Sequence, residues 1–425
     1  MRTFISFRNL TRSMLLSAVL YLVLVTQLLA APAYLLPTYV TDTIHRRSEG
    51  HSNYTYNNGS TVTQLSMDGK ITFTDDEKDI KSITPGGYFR YSKTTFGNKR
   101  EIFIRSNSEG VLKREYFVGG NETSYEPEGR QWLQESIKEL LSTTALGAED
   151  RVKRIYGKSG VNGVLAEIAR MENDHVKSTY YGHLLALPHV KEPEMKALLA
   201  QLGKNVKSDF EKSRILQRVG VNYLQNSKLT DDYLAAVNSM SSDFEKSRVL
   251  SHLLDNSKLS AASFSLVLQA VADISSDFEQ SKILQKVLTK PDLTAQAHKE
   301  AIGVLRSVNS DFEKAKVLLD LASKPEYLQQ NLNEMLVSVE AIKSDFERSR
   351  VLNKIITAPK LTTKQQLQVL PVIANMNSDF EKSRVLQNIK TKLPMSNNEV
   401  RTEYIKTAKT IRSDFEYRRV TDGLL

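Results

Sequence analysis

A chain of 425 residues, 25% charged and 40% hydrophobic, has the make-up of a folded protein. It is long enough for two or three ordinary domains, or for one small domain followed by an elongated repeat array. The absence of cysteine excludes disulfides, thiolate metal sites and cysteine nucleophiles. The net charge of +9 describes a mildly basic surface, suited to an acidic partner or an anionic membrane and weak as a signature of nucleic acid.

Residues 1–33, "MRTFISFRNLTRSMLLSAVLYLVLVTQLLAAPA", begin with Arg2, Arg8 and Arg12, turn uncharged from Ser13, and reach a small-x-small pattern at Ala31-Pro32-Ala33. This is the profile of a secretory signal peptide. Because the apolar run continues through Leu35 and Leu36, an uncleaved inner-membrane anchor over residues 13–36 is the other reading. Either one sends the remainder across the membrane, so an extracytoplasmic location, periplasmic or secreted, is expected. A mitochondrial presequence fits the acid-free first twelve residues but not the unbroken apolar run.

Residues 34–60 read as a linker, rich in Asn, Ser and Gly toward their end. A β-rich domain is expected over 61–143. There "KITFT", "YFRYSKT", "REIFIRS" and "VLKREYFV" alternate apolar and polar residues between turns such as Pro85-Gly86-Gly87 and Gly119-Gly120. The pattern predicts four to six antiparallel strands. A helix over 126–141 follows, with Trp132, Leu133, Ile137, Leu140 and Leu141 on one face to cover the sheet and Trp132 as a core anchor. Arg90, Tyr91, Lys99, Arg100, Arg114 and Tyr116 are candidates for a ligand-binding face, against the plainer reading of ordinary solvated alternation.

Residues 144–425 are governed by a repeated phrase. Ser-Asp-Phe-Glu recurs at 208–211, 242–245, 276–279, 310–313, 344–347, 378–381 and 413–416, a period of 34 residues and finally 35. Each copy reads as a capping box: the serine oxygen accepts the third amide of the helix, and the glutamate reaches back to the serine amide. The pairs are Ser208 and Glu211, Ser242 and Glu245, Ser276 and Glu279, Ser310 and Glu313, Ser344 and Glu347, Ser378 and Glu381, and Ser413 and Glu416. The aspartate between them complements the helix dipole. Phe210, Ser213, Ile215, Leu216 and Val219 are assigned to the buried arc, with Glu211, Arg214 and Arg218 opposite. The residue four after the aspartate is small in the internal copies, Ser213, Ser247, Ser281, Ala315, Ser349 and Ser383, which implies close helix approach.

A second helix follows in each unit, with Val237, Val271, Leu305, Val339 and Ile373 at one equivalent position and Met240, Ile274, Val308, Ile342 and Met376 at another. Pro371 is expected to kink or shorten one of these helices. In the copy at 208 the connector "NSKLT" comes four residues late, which predicts a shorter second helix. "NDHVKSTYY" at 173–181 is a degenerate first copy with His175 in the phenylalanine place, and Arg418 replaces the small residue in the last copy. The fold expected is α+β overall but mainly α: a right-handed α-solenoid of 34-residue helical hairpins, HEAT/TPR-like, after a small antiparallel β domain.

No constellation points to catalysis, because an active site needs one preorganised set of groups rather than the same residues at every turn. Arg214, Arg248, Lys282, Lys316, Arg350, Arg384 and Arg419 form a cationic column, read either as a salt-bridge ladder or as a basic stripe for an anionic partner. His175 and His183 could share a helix face but do not make a metal motif. No Walker loop, Gly-x-Ser-x-Gly or dinucleotide fingerprint is present, so no cofactor or metal is expected.

With "ITFTDDEKDIKSITPGGYFRY" at 71–91, "REYFVGG" at 114–120 and "PEGRQWL" at 127–133 ahead of the SDFEKSRVL copies, the chain resembles a known family region. It is the extracytoplasmic part of bacterial BlaR-type membrane metallopeptidase sensor-transducers, where SDFEKRRVL-like phrases recur. The peptidase unit and its zinc motif have no counterpart here, so the resemblance implies a non-enzymatic envelope protein. Its solenoid would serve as a protein-binding scaffold in a sensing or signalling system. The alternative is an organellar pentatricopeptide-like RNA-binding protein, suggested by repeat length and disfavoured by the apolar leader.

Overall fold

The computed structural model describes residues 43–424 except 49, 50, 58, 189, 221, 222, 224–226, 258 and 292. The leader therefore lies outside the described residues. Two compact units divide at Leu140/Leu141.

The first unit is built on a seven-stranded antiparallel sheet ordered β1 (Thr43–Ser48), β2 (His51–Asn57), β3 (Thr61–Asp68), β6 (Tyr88–Thr95), β7 (Asn98–Ser106), β8 (Leu112–Val118) and β9 (Asn121–Thr123). A separate hairpin, β4 (Ile71–Phe73) and β5 (Ile80–Ile83), is inserted between β3 and β6. The sheet is thus larger than the expected four to six strands. The segment read as linker supplies β1 and β2: β2 pairs with β3 along its whole length, from His51 opposite Asp68 to Asn57 opposite Val62. Composition misled there, because Asn, Ser and Tyr suit a ribbon at the edge of a sheet as well as they suit a linker.

Alternation in β6 and β7 sends Phe89, Tyr91, Ile102 and Ile104 into the core. The helix Arg130–Thr143 supplies Trp132, Leu133, Ile137 and Leu140, all buried, and Trp132 stacks on Tyr91 and Tyr116 with ring centroids 5.5 and 5.9 Å apart. The Lys93 ammonium lies 2.8 Å from the Glu139 carboxylate, linking β6 to this helix. The helix starts at Arg130 rather than 126, after a short π turn, Tyr125–Gly129, that contains Pro127. Gly87 is required by a close approach: a Cβ there would stand 2.4 Å from the Asp68 carbonyl oxygen.

The second unit is helical throughout. Phrase helices occupy Asp174–Leu185, Asp209–Leu216, Asp243–Asn256, Asp277–Leu288, Asp311–Ala322, Asp345–Ile356, Asp379–Lys390 and Asp414–Thr421. Return helices occupy Glu192–Asn205, Ser227–Asn238, Ala261–Ala272, Ala295–Ser307, Pro325–Glu340, Thr363–Leu367 with Val369–Ala374, and Asn398–Ala408. Each phrase helix packs on the next phrase helix and each return helix on the next return helix, giving the two layers of an α-solenoid. The Pro371-bearing return helix is divided at Gln368. In the copy at 208 the shortening falls on the first helix, which ends at Leu216, whereas the second already begins at Ser227 within the connector.

A further helix pair precedes the degenerate copy. Residues 148–170 are helical on both sides of Gly160, whose φ of 61° and ψ of −163° break the helix in a conformation open to glycine. Ile168 and Met171, both buried, stand six and three residues before Asp174, the places held by Val237 and Met240 in the next unit but one. The core is continuous along the unit, and the equivalent residues Val237, Val271, Leu305, Val339 and Ile373 have no exposed surface. Among the described residues no helix is long and apolar enough to cross a membrane.

Candidate functional site: a ring-and-cation ladder on the repeats

Each residue of the phrase has its own partner, and several of those partners lie in the next repeat. The serine oxygens of Ser208, Ser242, Ser276, Ser310, Ser344, Ser378 and Ser413 accept the amide of the glutamate three residues on, at 3.3–3.4 Å. The return half of the expected capping box is not formed. The amide that the glutamate would accept is already donated to the aspartate of the preceding copy.

Asp174 Oδ2 accepts from Lys207 and Ser208, Asp209 Oδ2 from Ser241 and Ser242, and Asp345 Oδ2 from Asn377 and Ser378, all at 2.6–2.7 Å. Asp243, Asp277, Asp311 and Asp379 make the same connection. The aspartate is therefore a staple between repeats. Burial works against ionisation of Asp174 and Asp311, yet these amides and the nearby lysines outweigh it and hold both carboxyls below the ordinary aspartate value.

A second staple runs from the residue after the glutamate. Lys177, Lys212, Lys314 and Lys382 are buried and donate to the carbonyls of Asn205, Ser239, Ala341 and Thr410, at the end of the following return helix. Arg348 does the same to Asn375, whereas Gln280 turns back to Val271 of the preceding return helix. The small residues Ser213, Ser247, Ala315, Ser349 and Ser383 are wholly buried. Ser281 and Ser349 also donate their hydroxyls to Glu313 and Glu381 of the next copy.

The cationic column is a ladder of ion pairs within each helix. Arg214, Arg248, Lys282, Lys316, Arg350, Arg384 and Arg419 lie 2.7–3.5 Å from Glu211, Glu245, Glu279, Glu313, Glu347, Glu381 and Glu416 respectively.

The phenylalanines are where the sequence reading fails. Phe210, Phe244, Phe278, Phe312, Phe346 and Phe380 are 51–57% exposed and Phe415 is 73% exposed, while Glu211, set opposite the buried arc, is itself buried, as is Lys212 beside it. At 100° per residue the cation four positions later lies only about 40° from the ring, on the same side of the helix. That offset was the available signal. The buried arc carries Lys212, Ser213, Ile215 and Leu216, and there Lys212 donates to the Ser239 carbonyl and Ser213 accepts from Gln217. Cations stand over the rings within a copy, as Arg214 over Phe210 at 5.8 Å and Arg350 over Phe346 at 5.9 Å. They also do so across copies, as Arg248 over Phe210 at 6.0 Å and Lys316 over Phe278 at 5.1 Å. Rings and cations thus interleave from one repeat to the next. His175 holds the ring position of the degenerate copy, half exposed, with Nδ1 3.1 Å from Glu211.

In the sheet unit the six candidate residues do not form one face. Register places Tyr91 and Tyr116 on the side covered by Trp132, and Arg114 reaches the Asp79 carboxylate at 3.2 Å. Arg90 and Lys99 lie on the other side, both paired with Glu101 at 2.6 Å. There Phe103 is flanked by Arg90 and Arg105 at 5.4 and 4.9 Å. Among the described residues no three His, Asp or Glu side chains group as a metal site.

No family model and no curated protein matches the chain. Among solved structures it is similar, at 10% identity, to one described as "Computational Design of Self-Assembling Cyclic Protein Homooligomers". That likeness covers 65% of this chain and 92% of the other, at a TM-score of 0.12, and carries no argument about fold or function.

Proposed function

We propose that this protein is a non-enzymatic scaffold of the bacterial envelope whose helical repeats bind a protein partner through the ring-and-cation ladder. The observation that carries the reading is the repeated half-exposure of phenylalanine in seven copies. Half of a phenylalanine side chain is on the order of 100 Å². The rings recur once per repeat on one side of the phrase helices and are bordered by Arg and Lys, and exposed aromatics with arginine have the make-up of an interaction surface. Leaving each ring half in water forgoes about 1 kcal/mol of burial, a cost with no structural return, since the core beneath is complete without the rings. The leader supports an extracytoplasmic location, and the resemblance to sensor-transducer repeats supports a place in a sensing system.

The test is site-specific crosslinking in a bacterial host. A photoreactive phenylalanine analogue at position 312 should yield a discrete protein adduct that disappears when Phe278 and Phe346 are changed to Ser. The same group at Val337, exposed on a return helix, should not. Equal adducts from both positions, adducts with RNA, or none at all would reject the reading.

A further inference from the structure

We infer that the occupant of the ladder is an extended acidic polypeptide segment, crossing the phrase helices and presenting one carboxylate and one apolar group to each repeat. This rests on the protein-binding reading above and adds the chemistry and conformation of the partner.

Charge is the first argument. Along the column the cationic side chains are 30–44% exposed, whereas their glutamate partners are only 9–11% exposed. Solvent therefore meets guanidinium and ammonium groups, with the neutralising carboxylates recessed beneath them. An incoming carboxylate can share the outward donors of Arg214 or Arg350 without displacing the inner pair, because a guanidinium has five N–H groups. A dense polyanion gains less, since each cation keeps its own carboxylate and releases fewer counterions.

Spacing is the second argument. Packed helices lie about 8–10 Å apart, and an extended or polyproline-II chain advances about 3.1–3.4 Å per residue. Three residues of such a chain match one repeat. Polyproline II has three residues per turn, so every third side chain returns to the same side in step with the phrase helices. Aromatic surfaces are an established platform for that conformation. At two boundaries a cation of one copy stands over the ring of the copy before it, Arg248 over Phe210 and Lys316 over Phe278, so one segment can engage neighbouring copies.

The probe is a fluorescein-labelled (Pro-Pro-Glu)7 peptide titrated by anisotropy against the full chain. Binding should be at least tenfold tighter than for (Pro-Pro-Gln)7 and for (Pro-Pro-Glu)3, and should weaken as salt rises. The Phe278→Ser, Phe312→Ser, Phe346→Ser triple variant should lose at least tenfold while keeping its folded circular-dichroism spectrum at the assay temperature, and Val337→Ser should lose nothing. Equal binding of the glutamine peptide, tighter binding of a helical acidic peptide or of single-stranded RNA, or no binding of (Pro-Pro-Glu)7 would overturn the inference. If the peptide fails while the position-312 protein adduct forms, only the extended acidic occupant is rejected. If both fail, the protein-binding reading falls with it.

Discussion

The copy at 344–350 and the copy at 413–419 begin with the same four residues, and only one of them has a following repeat among the described residues. Asp345 accepts the amides of Asn377 and Ser378, whereas Asp414 is exposed. Arg348 reaches the carbonyl of Asn375, and Tyr417 stands at that place in the last copy. Ser349 is wholly buried between phrase helices, and its counterpart Arg418 is exposed. The ion pair and the serine cap persist in both. The difference separates the phrase into two functions: Ser, Glu and the later cation serve their own helix, while Asp, the next basic residue and the small residue join neighbours.

Exchanging the small residue is the strongest way to break the comparison. Ser349→Arg places an unpaired charge and excess volume in a closed interface and should cost several kcal/mol, enough to unfold the array locally. Arg418→Ser should leave the denaturation midpoint within error. Urea titration followed by circular dichroism reads both.

Next in size are the staples. Asp345→Ala strips two amides of a charged acceptor and should cost about 2–3 kcal/mol, with loss of hydrogen-exchange protection at Asn377 and Ser378. Asp414→Ala should cost less than about 0.5 kcal/mol. Equal effects at the two positions would show that the aspartate acts through its own helix dipole instead.

The same staples set the acid limit. Asp174 and Asp311 have folded pKa values held below the unfolded one, so their contribution is complete above the unfolded value, about 3.9. It is lost as pH falls through the lower folded value. The contribution of these two staples should therefore be the same at pH 7 and pH 5 and should drop below about pH 4. Asp311→Asn should flatten that acid slope.

Smaller still are the surface groups. Phe346→Ala should cost no more than about 1 kcal/mol, far less than Leu352→Ala, where a wholly buried side chain leaves a cavity worth about 2–5 kcal/mol. Arg384→Gln removes a partly exposed ion pair and should change stability by less than about 0.5 kcal/mol. A large loss from Phe346→Ala would return the ring to a structural role and weaken the case for the ladder.

Much of the fold is legible in the sequence because helical hairpins are local. Ser208 and its counterparts mark helix starts by a contact three residues away, and Ile215, Leu216 and Val237 declare the core by their periodicity. The strands β1 and β2 were not legible as strands, since a ribbon at the sheet edge draws on the same polar residues as a linker. The ladder was half legible: its cations and their glutamates stand out as a column, but phenylalanine was assigned inward because so broad an arc takes in its position with the aliphatic residues.

The sequence by itself determined the period, the helix starts, the small interface residue and the buried aliphatic rows, because each depends on neighbours within one or two turns. Only the tertiary structure decided that Asp209 belongs to Ser241 and Ser242, that Lys212 belongs to the carbonyl of Ser239, and that Phe210 faces water. Those outcomes depend on how one repeat stacks on the next. Stacking fills both flanks of each internal phrase helix, pairs the aspartates there with the next repeat, and leaves the ring on the side turned to solvent.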